Sequence, residues 1–197
     1  MKPLLAALLG AVAIFVWLAV AHMFTPLGTA GMDYLPKEDA VSDALASSVG
    51  TARGMYMFPT GGLTKQSSRA EEEKGMERIM EEMKTKPSGL LVYKPAGSTF
   101  SFGKSLATEF LTDFAIALLA VSLLAQTRIT TFAGRVGFVV LIGVLAAIAA
   151  HVPHWNWYSF PGTYAVANMF MSIVAMFFAG LVIAAIYKPA ATNRDLP

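Results

Sequence analysis

Residues 3–24 read PLLAALLGAVAIFVWLAVAHMF and contain no Asp, Glu, Lys or Arg. A helix of this length, rising about 1.5 Å per residue, can cross a hydrocarbon core of roughly 30 Å. A cleavable signal peptide is the alternative, because Lys2 precedes the run and Ala19-Val20-Ala21 fits a cleavage site. The apolar run exceeds the roughly 7–15 residues of a signal-peptide core. The stretch therefore predicts a retained transmembrane anchor over residues 1–24.

Three further apolar segments predict transmembrane helices over residues 106–126, 136–152 and 164–187. Only the first of these contains formal charges, Glu109 and Asp113. The composition agrees with lipid as the main solvent, because 14% of the residues are charged, against roughly a quarter in a soluble domain. The predicted fold class is a membrane α-helical protein with four transmembrane helices.

Residues 25–105 form a charge-balanced insert between the first and second predicted spans. Apolar residues at helical spacing predict helices over 36–49 and 69–84. Short apolar runs bounded by Gly and Pro predict strands over 54–58 and 90–93, which are candidates for pairing. The insert is therefore predicted to be a small α/β domain outside the membrane.

The predicted helix over 69–84 is highly charged but carries one apolar stripe. Its members recur at i, i+3, i+4 and i+7, and they are Met76, Ile79, Met80 and Met83. Glutamates four residues apart weaken the isolated helix by a few tenths of a kcal/mol per pair. We therefore expect docking of this stripe to stabilise the helix.

The short predicted loops differ in their content of basic residues. The basic residues beside the spans are Lys2, Arg128, Arg135, Lys188 and Arg194, and the loop 153–163 contains none. Positive residues in short loops are retained in the cytoplasm. The pattern predicts cytoplasmic termini, including a tail over 188–197, and a periplasmic insert in a bacterial inner membrane.

The chain contains no cysteine, which excludes disulfides, thiolate metal sites and a cysteine nucleophile. The net charge of +2 comes from a few Lys and Arg beside the spans, so no nucleic-acid partner is indicated. Residues 97–105 are reminiscent of a phosphate-binding loop, but five residues separate the glycines instead of four. We instead expect Lys104 to anchor at lipid headgroups and Ser105 to cap the second span.

Five potential metal ligands fall near the predicted periplasmic edge, and they are His22, Glu109, Asp113, His151 and His154. Imidazoles and carboxylates together suit Zn, Mn or non-haem Fe. Haem is a variant of this hypothesis, with His22 and His151 as axial ligands. The alternative is that the histidines only present their polar tips to headgroups and water.

Asp113 is predicted to lie inside the second span, where a carboxylate costs about 2.5–3.5 kcal/mol on insertion scales. It should therefore face protein and have a partner. His22, His151 and the intramembrane polar residue Asn168 are the candidates. We favour a hydrogen-bond clamp between helices over a proton relay or substrate contact.

Residues 151–161 read HVPHWNWYSFP and are the densest aromatic segment. Amphipathic aromatic rings are enriched at membrane interfaces. The predicted interface or lipid-facing residues are Trp155, Trp157, Tyr158 and Phe160. Docking of a lipid, a quinone or a protein at this segment is the alternative.

Three short stretches carry a resemblance, namely GMYMFP at Gly54–Pro59, GLLVYKPAG at Gly89–Gly97 and NWYSFP at Asn156–Pro161. Together with the apolar anchor, they give a layout that resembles a group of small, uncharacterised four-span proteins of the bacterial inner membrane. The resemblance implies that location. It implies no activity, cofactor or catalytic residue.

Three functional hypotheses follow. The leading hypothesis is a non-catalytic accessory or assembly subunit of a larger inner-membrane complex, with lipids and at least one protein as partners, because no catalytic set is recognisable. The rival is a metal- or haem-binding membrane protein. The third is a small transporter or lipid-binding protein, for which the buried acid Asp113 is the main support.

Overall fold

The computed structural model describes residues 1–189, and the chain divides into two compact units. One unit, the bundle, contains Met1–Asp33 and the residues from Ser101 onward. The other unit, the insert domain, contains Tyr34–Phe100. Arg194 and most of the predicted tail 188–197 lie outside the described residues.

The helices are α1 (Lys2–Phe24), α2 (Glu38–Val49), α3 (Arg69–Glu82), α4 (Phe102–Ala125), α5 (Phe132–Tyr158) and α6 (Gly162–Ile186), and the strands are β1 (Gly54–Phe58) and β2 (Gly89–Tyr93). Four of the helices, α1, α4, α5 and α6, are long and apolar enough to span a membrane. The prediction of a helical protein with four such helices and a small two-stranded sheet is confirmed.

Polar caps place the starts of α4 and α5 about one turn before the predicted starts. The Ser101 hydroxyl accepts a hydrogen bond from the Lys104 amide at 3.3 Å, so α4 begins at Phe102. Ser105 is not the cap; its hydroxyl donates to the Ser101 carbonyl. The Thr131 hydroxyl accepts from the Gly134 amide at 3.1 Å and starts α5 in the same way.

The predicted loop 153–163 is mostly helix. α5 continues through Pro153 to Tyr158, although an interior proline removes one backbone donor and crowds the preceding turn. Ser159 then adopts a left-handed conformation with φ 57°, and its amide donates to the His154 carbonyl. The connection to α6 is therefore only a few residues long.

Small residues set the packing of the bundle. α1 packs against α4 on one side and α6 on the other, and α5 packs along α6, whereas α4 and α5 scarcely touch. A Cβ atom added at Gly10 of α1 would lie 3.1 Å from the Ile183 side chain of α6. Large apolar side chains such as Leu141 and Leu145 point outward and are about two-thirds exposed or more. An apolar exterior over a core of small residues fits a helical bundle in lipid.

The segment after α1 folds back over the start of α6. A 3₁₀ turn over Pro26–Thr29 is followed by Gly31, which has φ 75°. A Cβ atom at Gly31 would lie 2.8 Å from the Thr163 hydroxyl and the Tyr164 amide. The end of α1 and the start of α6 are therefore at the same end of the bundle.

In the insert domain, β1 and β2 pair antiparallel, with Gly54 opposite Tyr93 and Phe58 opposite Gly89. The predicted pairing of the two strands is confirmed. The Tyr93 hydroxyl donates to the Gly50 carbonyl at the end of α2, at 2.9 Å. One sheet face exposes the apolar side chains of Met55, Met57 and Val92.

The expected docking of the apolar stripe of α3 is wrong for its three methionines, whereas its fourth member, Ile79, is partly buried beside Gly61. Met76, Met80 and Met83 are each more than half exposed. The buried face of α3 contains Gly75 instead, over which Leu63 packs so closely that a Cβ atom would overlap its side chain. The adjacent Arg78 side chain donates to the Gly61 carbonyl at 2.7 Å. The close approach allowed by a glycine determines which face docks.

The first turn of α3 is stabilised by Glu71, whose carboxylate accepts from the Ser68 amide at 2.7 Å and the Ser68 hydroxyl at 2.8 Å. These hydrogen bonds, with a smaller contribution from the Arg78 charge, lower the pKa of Glu71 below its ordinary value. Because its pKa is lower in the folded state, Glu71 stabilises the folded protein at pH values above its ordinary pKa. This stabilisation is lost as the pH falls through the lowered pKa.

We expect the NMR resonance of the Ser68 amide to shift as the pH falls through this lowered pKa, because protonation of Glu71 weakens the hydrogen bond. Glu71→Gln should abolish the titration of the Ser68 amide, since the amide side chain has no ionisable proton. Glu72→Gln, one residue along, serves as the control and should preserve it. An unchanged titration in Glu71→Gln would contradict the assignment.

Candidate functional site

A cavity of about 290 Å³ lies in the cleft where α4 and α5 do not pack against each other. We call this space the α4/α5 cleft. Apart from Ile142 and His151, its wall on α5 consists of small residues at helical spacing, and they are Gly143, Ala146, Ala147 and Ala150. This spacing brings them to one helix face. The small side chains leave the apolar part of the cleft open.

Polar side chains line the same cleft. Glu109, Thr112 and Asp113 come from α4, His151 comes from the last part of α5, and Ser172 comes from α6. The Thr112 hydroxyl donates to the Thr108 carbonyl of its own helix at 2.9 Å, which leaves the oxygen free to accept. A mainly apolar space with a few polar groups is typical of small-molecule sites.

Asp113 is the unusual member of this set. Its side chain is 1% exposed, and its Oδ2 has no hydrogen-bond partner among residues 1–189. Leaving a buried acceptor unpaired costs about 1–3 kcal/mol, and more for a charged group. The Asn168 amide donates to the Tyr164 carbonyl of its own helix at 2.9 Å. The predicted hydrogen-bond clamp at Oδ2 is therefore not formed.

His22 lies in a different place from His151. It lines a second cavity of about 340 Å³ between the end of α1 and the start of α4. Its Nδ1 is 2.9 Å from the Leu18 carbonyl oxygen of its own helix. Glu109 lines both this cavity and the α4/α5 cleft, as does the apolar Leu18, so Glu109 is the titratable residue that the two spaces share.

His154 lines neither of these two spaces. Its ring stacks on Phe160 with a centroid distance of 5.2 Å, and Phe160 in turn contacts Tyr164 at 5.5 Å. The structure brings Glu109, Asp113 and His151 together at one cleft and leaves His22 and His154 elsewhere. Within the part of the chain that the structure describes, no three His, Asp or Glu side chains are placed to hold one metal ion.

The predicted interface residues differ in how far they are exposed. Trp155, Trp157 and Tyr158 are exposed on the last turns of α5, as the interface hypothesis expects. Phe160 is only partly exposed because it packs between His154 and Tyr164. It helps to hold the connection between α5 and α6.

A larger cavity of about 570 Å³ lies between α1 and α6, but its lining is almost entirely apolar. Trp17 contributes the one polar side-chain atom of this lining, and its Nε1 already donates to the Met171 carbonyl at 2.9 Å. No polar group is left there to orient a ligand. The smaller α4/α5 cleft is therefore the better candidate site.

Arg135 is a structural residue that the charge pattern misassigned to a loop. It lies in the first turn of α5 and is 2% exposed. Its guanidinium donates to the Thr130 carbonyl and, at 3.0 Å, to the Ala184 carbonyl in the last turn of α6. The sequence did contain a signal for this burial: Arg135 follows a potential cap, Thr131, and the apolar Phe132, so it falls inside the helix.

No protein-family model matches this sequence, and no curated protein and no solved structure matches it either.

Proposed function

We propose that this protein is a multi-pass membrane protein that binds a single-chain amphiphile in the α4/α5 cleft. The observation that carries the proposal is the buried Asp113 carboxylate, whose Oδ2 lacks a partner and which lines a mainly apolar cavity. A ligand that supplies a hydrogen-bond donor to Oδ2 removes the cost of the unpaired acceptor. This proposal develops the hypothesis of a small transporter or lipid-binding protein.

The size and shape of the cleft support a ligand with one chain. Its volume of about 290 Å³ is at the lower end of the range of roughly 300–1,000 Å³ for ligand sites. The wall of Gly143 and the alanines of α5 provides an apolar path, and the sparse contact between α4 and α5 gives a chain sideways access. A two-chain phospholipid is too large for this space.

We place the protein in the bacterial inner membrane with both termini in the cytoplasm and the insert domain in the periplasm. Lys2, Arg128 and Lys188 support this orientation under the positive-inside rule. Buried Arg135 no longer counts as a loop charge, but the remaining residues give the same direction. In this orientation the carboxylates of the cleft are near the periplasmic edge.

Filling the cleft tests the proposal. Ala146 is exposed in the cleft, so Ala146→Leu fills it without overlapping the core. We expect Ala146→Leu in phosphatidylcholine nanodiscs to weaken binding of dodecylamine and dodecanol at least about tenfold, equivalent to about 1.4 kcal/mol, as measured by native mass spectrometry.

The matched control is Ala149→Leu, because Ala149 is exposed on the same helix and does not line the cleft. It should leave the affinities unchanged. Failure of both dodecylamine and dodecanol to bind the unaltered protein would overturn the proposal, as would equal effects of the two substitutions.

The other two hypotheses concern different parts of the molecule. The accessory-subunit hypothesis stays a prediction, and the exposed face of Met55, Met57 and Val92 is the surface of the insert domain most relevant to it. The metal or haem hypothesis finds no ligand set, because its five residues are divided between the cleft, the His22 cavity and the His154–Phe160 stack.

A further inference from the structure

We infer that the ligand of the α4/α5 cleft has a cationic head, of the alkylammonium class. The inference rests on the proposed function and specifies its ligand. Its basis is the juxtaposition of Glu109 and Asp113 at the cleft, where Asp113 Oδ2 is unpaired. Among the described residues, the basic residue that lines the cleft is His151.

The charges around the cleft favour a cation. α4 contributes the two carboxylates, and α5 contributes His151 as the third titratable group. The cleft residues from α1 are Ile14 and Leu18, and those from α6 include Ser172 but no titratable side chain, as far as the structure describes the chain. A carboxylate or phosphate head would face two acidic side chains and no Lys or Arg.

The hydrogen-bonding groups point to the same class of head. A carboxylate only accepts, and an ammonium group donates three hydrogen bonds and accepts none. The acceptors available here are Asp113 Oδ2, the Glu109 carboxylate and the Thr112 oxygen, whose own proton is used on Thr108. With the Ser172 hydroxyl on α6, the lining offers at least the three acceptors that a primary ammonium needs.

Because Asp113 is buried, the charge of the ligand head should strongly affect the affinity of the ligand for the cleft. Hydrogen bonds between ionised groups are roughly twice as strong as neutral ones, and low dielectric increases the attraction. An alcohol of equal chain length offers one neutral donor. We therefore expect the amine to bind at least about tenfold more tightly than the alcohol.

The test compares dodecylamine, dodecanol and dodecanoate for binding to the full-length protein in nanodiscs of zwitterionic phosphatidylcholine. We expect the amine to bind most tightly and the carboxylate not to bind measurably. Asp113→Asn should reduce the affinity for the amine at least about tenfold and leave the affinity for dodecanol nearly unchanged. Asp43→Asn makes the same chemical change at an exposed residue of the insert domain and should alter neither affinity.

Glu109→Gln provides a second variant if Asp113→Asn does not fold, since Glu109 is exposed. It should lower the affinity for the amine about threefold or more. Equal binding of amine and alcohol, both weakened by Ala146→Leu, would overturn the cationic head while the proposed function stands. An amine affinity unaffected by both acid substitutions would also overturn it. If no probe binds, the proposed function itself fails.

Discussion

Arg135→Met is expected to lower the free energy of unfolding of the bundle by about 2–3 kcal/mol, because it removes two hydrogen bonds from a charged group to backbone carbonyls. Arg135 is buried, and its guanidinium joins the loop just before α5, at the Thr130 carbonyl, to the last turn of α6, at the Ala184 carbonyl. A cation near a helix C-terminus is also favourable for the helix dipole. Methionine retains much of the volume, so packing is largely preserved.

The effect of Arg135→Met is best measured as the unfolding midpoint of the purified protein, in one detergent and at one concentration. Arg128→Met is the control, because Arg128 is exposed in the loop between α4 and α5, and it should change the midpoint little. Arg135→Lys keeps the positive charge but lacks the planar fork, so it should be intermediate. If Arg135→Lys were as stable as the unaltered protein, charge alone would explain the residue and the hydrogen-bond account would be wrong.

Gly143→Ala is expected to destabilise the contact between α5 and α6 by about 1–3 kcal/mol, the usual cost of overpacking. A Cβ atom at Gly143 would lie 2.6 Å from the Cβ atom of Met176. A Cβ atom is fixed to its backbone, so the two helices have to move apart to accommodate it. The same movement would widen the wall of the α4/α5 cleft.

Gly137→Ala is the matched control for Gly143→Ala, because no atom lies within 4 Å of the added Cβ at Gly137 in the same helix. Alanine there should be neutral or stabilise the helix by up to about 1 kcal/mol through its higher helix propensity. Gly143→Ala should therefore lower the unfolding midpoint, and Gly137→Ala should leave it unchanged or raise it. Equal shifts in the same direction would contradict the close packing of Gly143 on Met176.

Local patterns predicted the elements of this protein well and their ends less well. The apolar runs and the helical spacing of α2 and α3 depend on neighbouring residues, so they are readable along the chain. The starts of α4 and α5 depend on the hydroxyls of Ser101 and Thr131, which precede the apolar runs. The passage of α5 through Pro153 was missed because the predicted span was ended at the last residue before the proline.

The candidate site was only partly predictable. Asp113 was recognised because a carboxylate in an apolar helix is costly. Of the three predicted partners, His22 and Asn168 hydrogen-bond within their own helices, whereas His151 lines the same cleft as Asp113 but does not hydrogen-bond to Oδ2. The gap between α4 and α5 has no sequence signal of its own, because it depends on which pairs of helices pack.

Four helices apolar enough to span a membrane and a small insert with a two-stranded sheet follow from local patterns, because hydrophobic length and periodicity are properties of each segment. Which residues meet depends on how the segments pack. The tertiary structure buries Arg135 against α6, exposes the methionines of α3 and leaves Asp113 Oδ2 without a partner at the α4/α5 cleft. Those outcomes depend on close approach between segments distant in the chain, where a Gly or Ala in place of a larger side chain decides which surfaces touch.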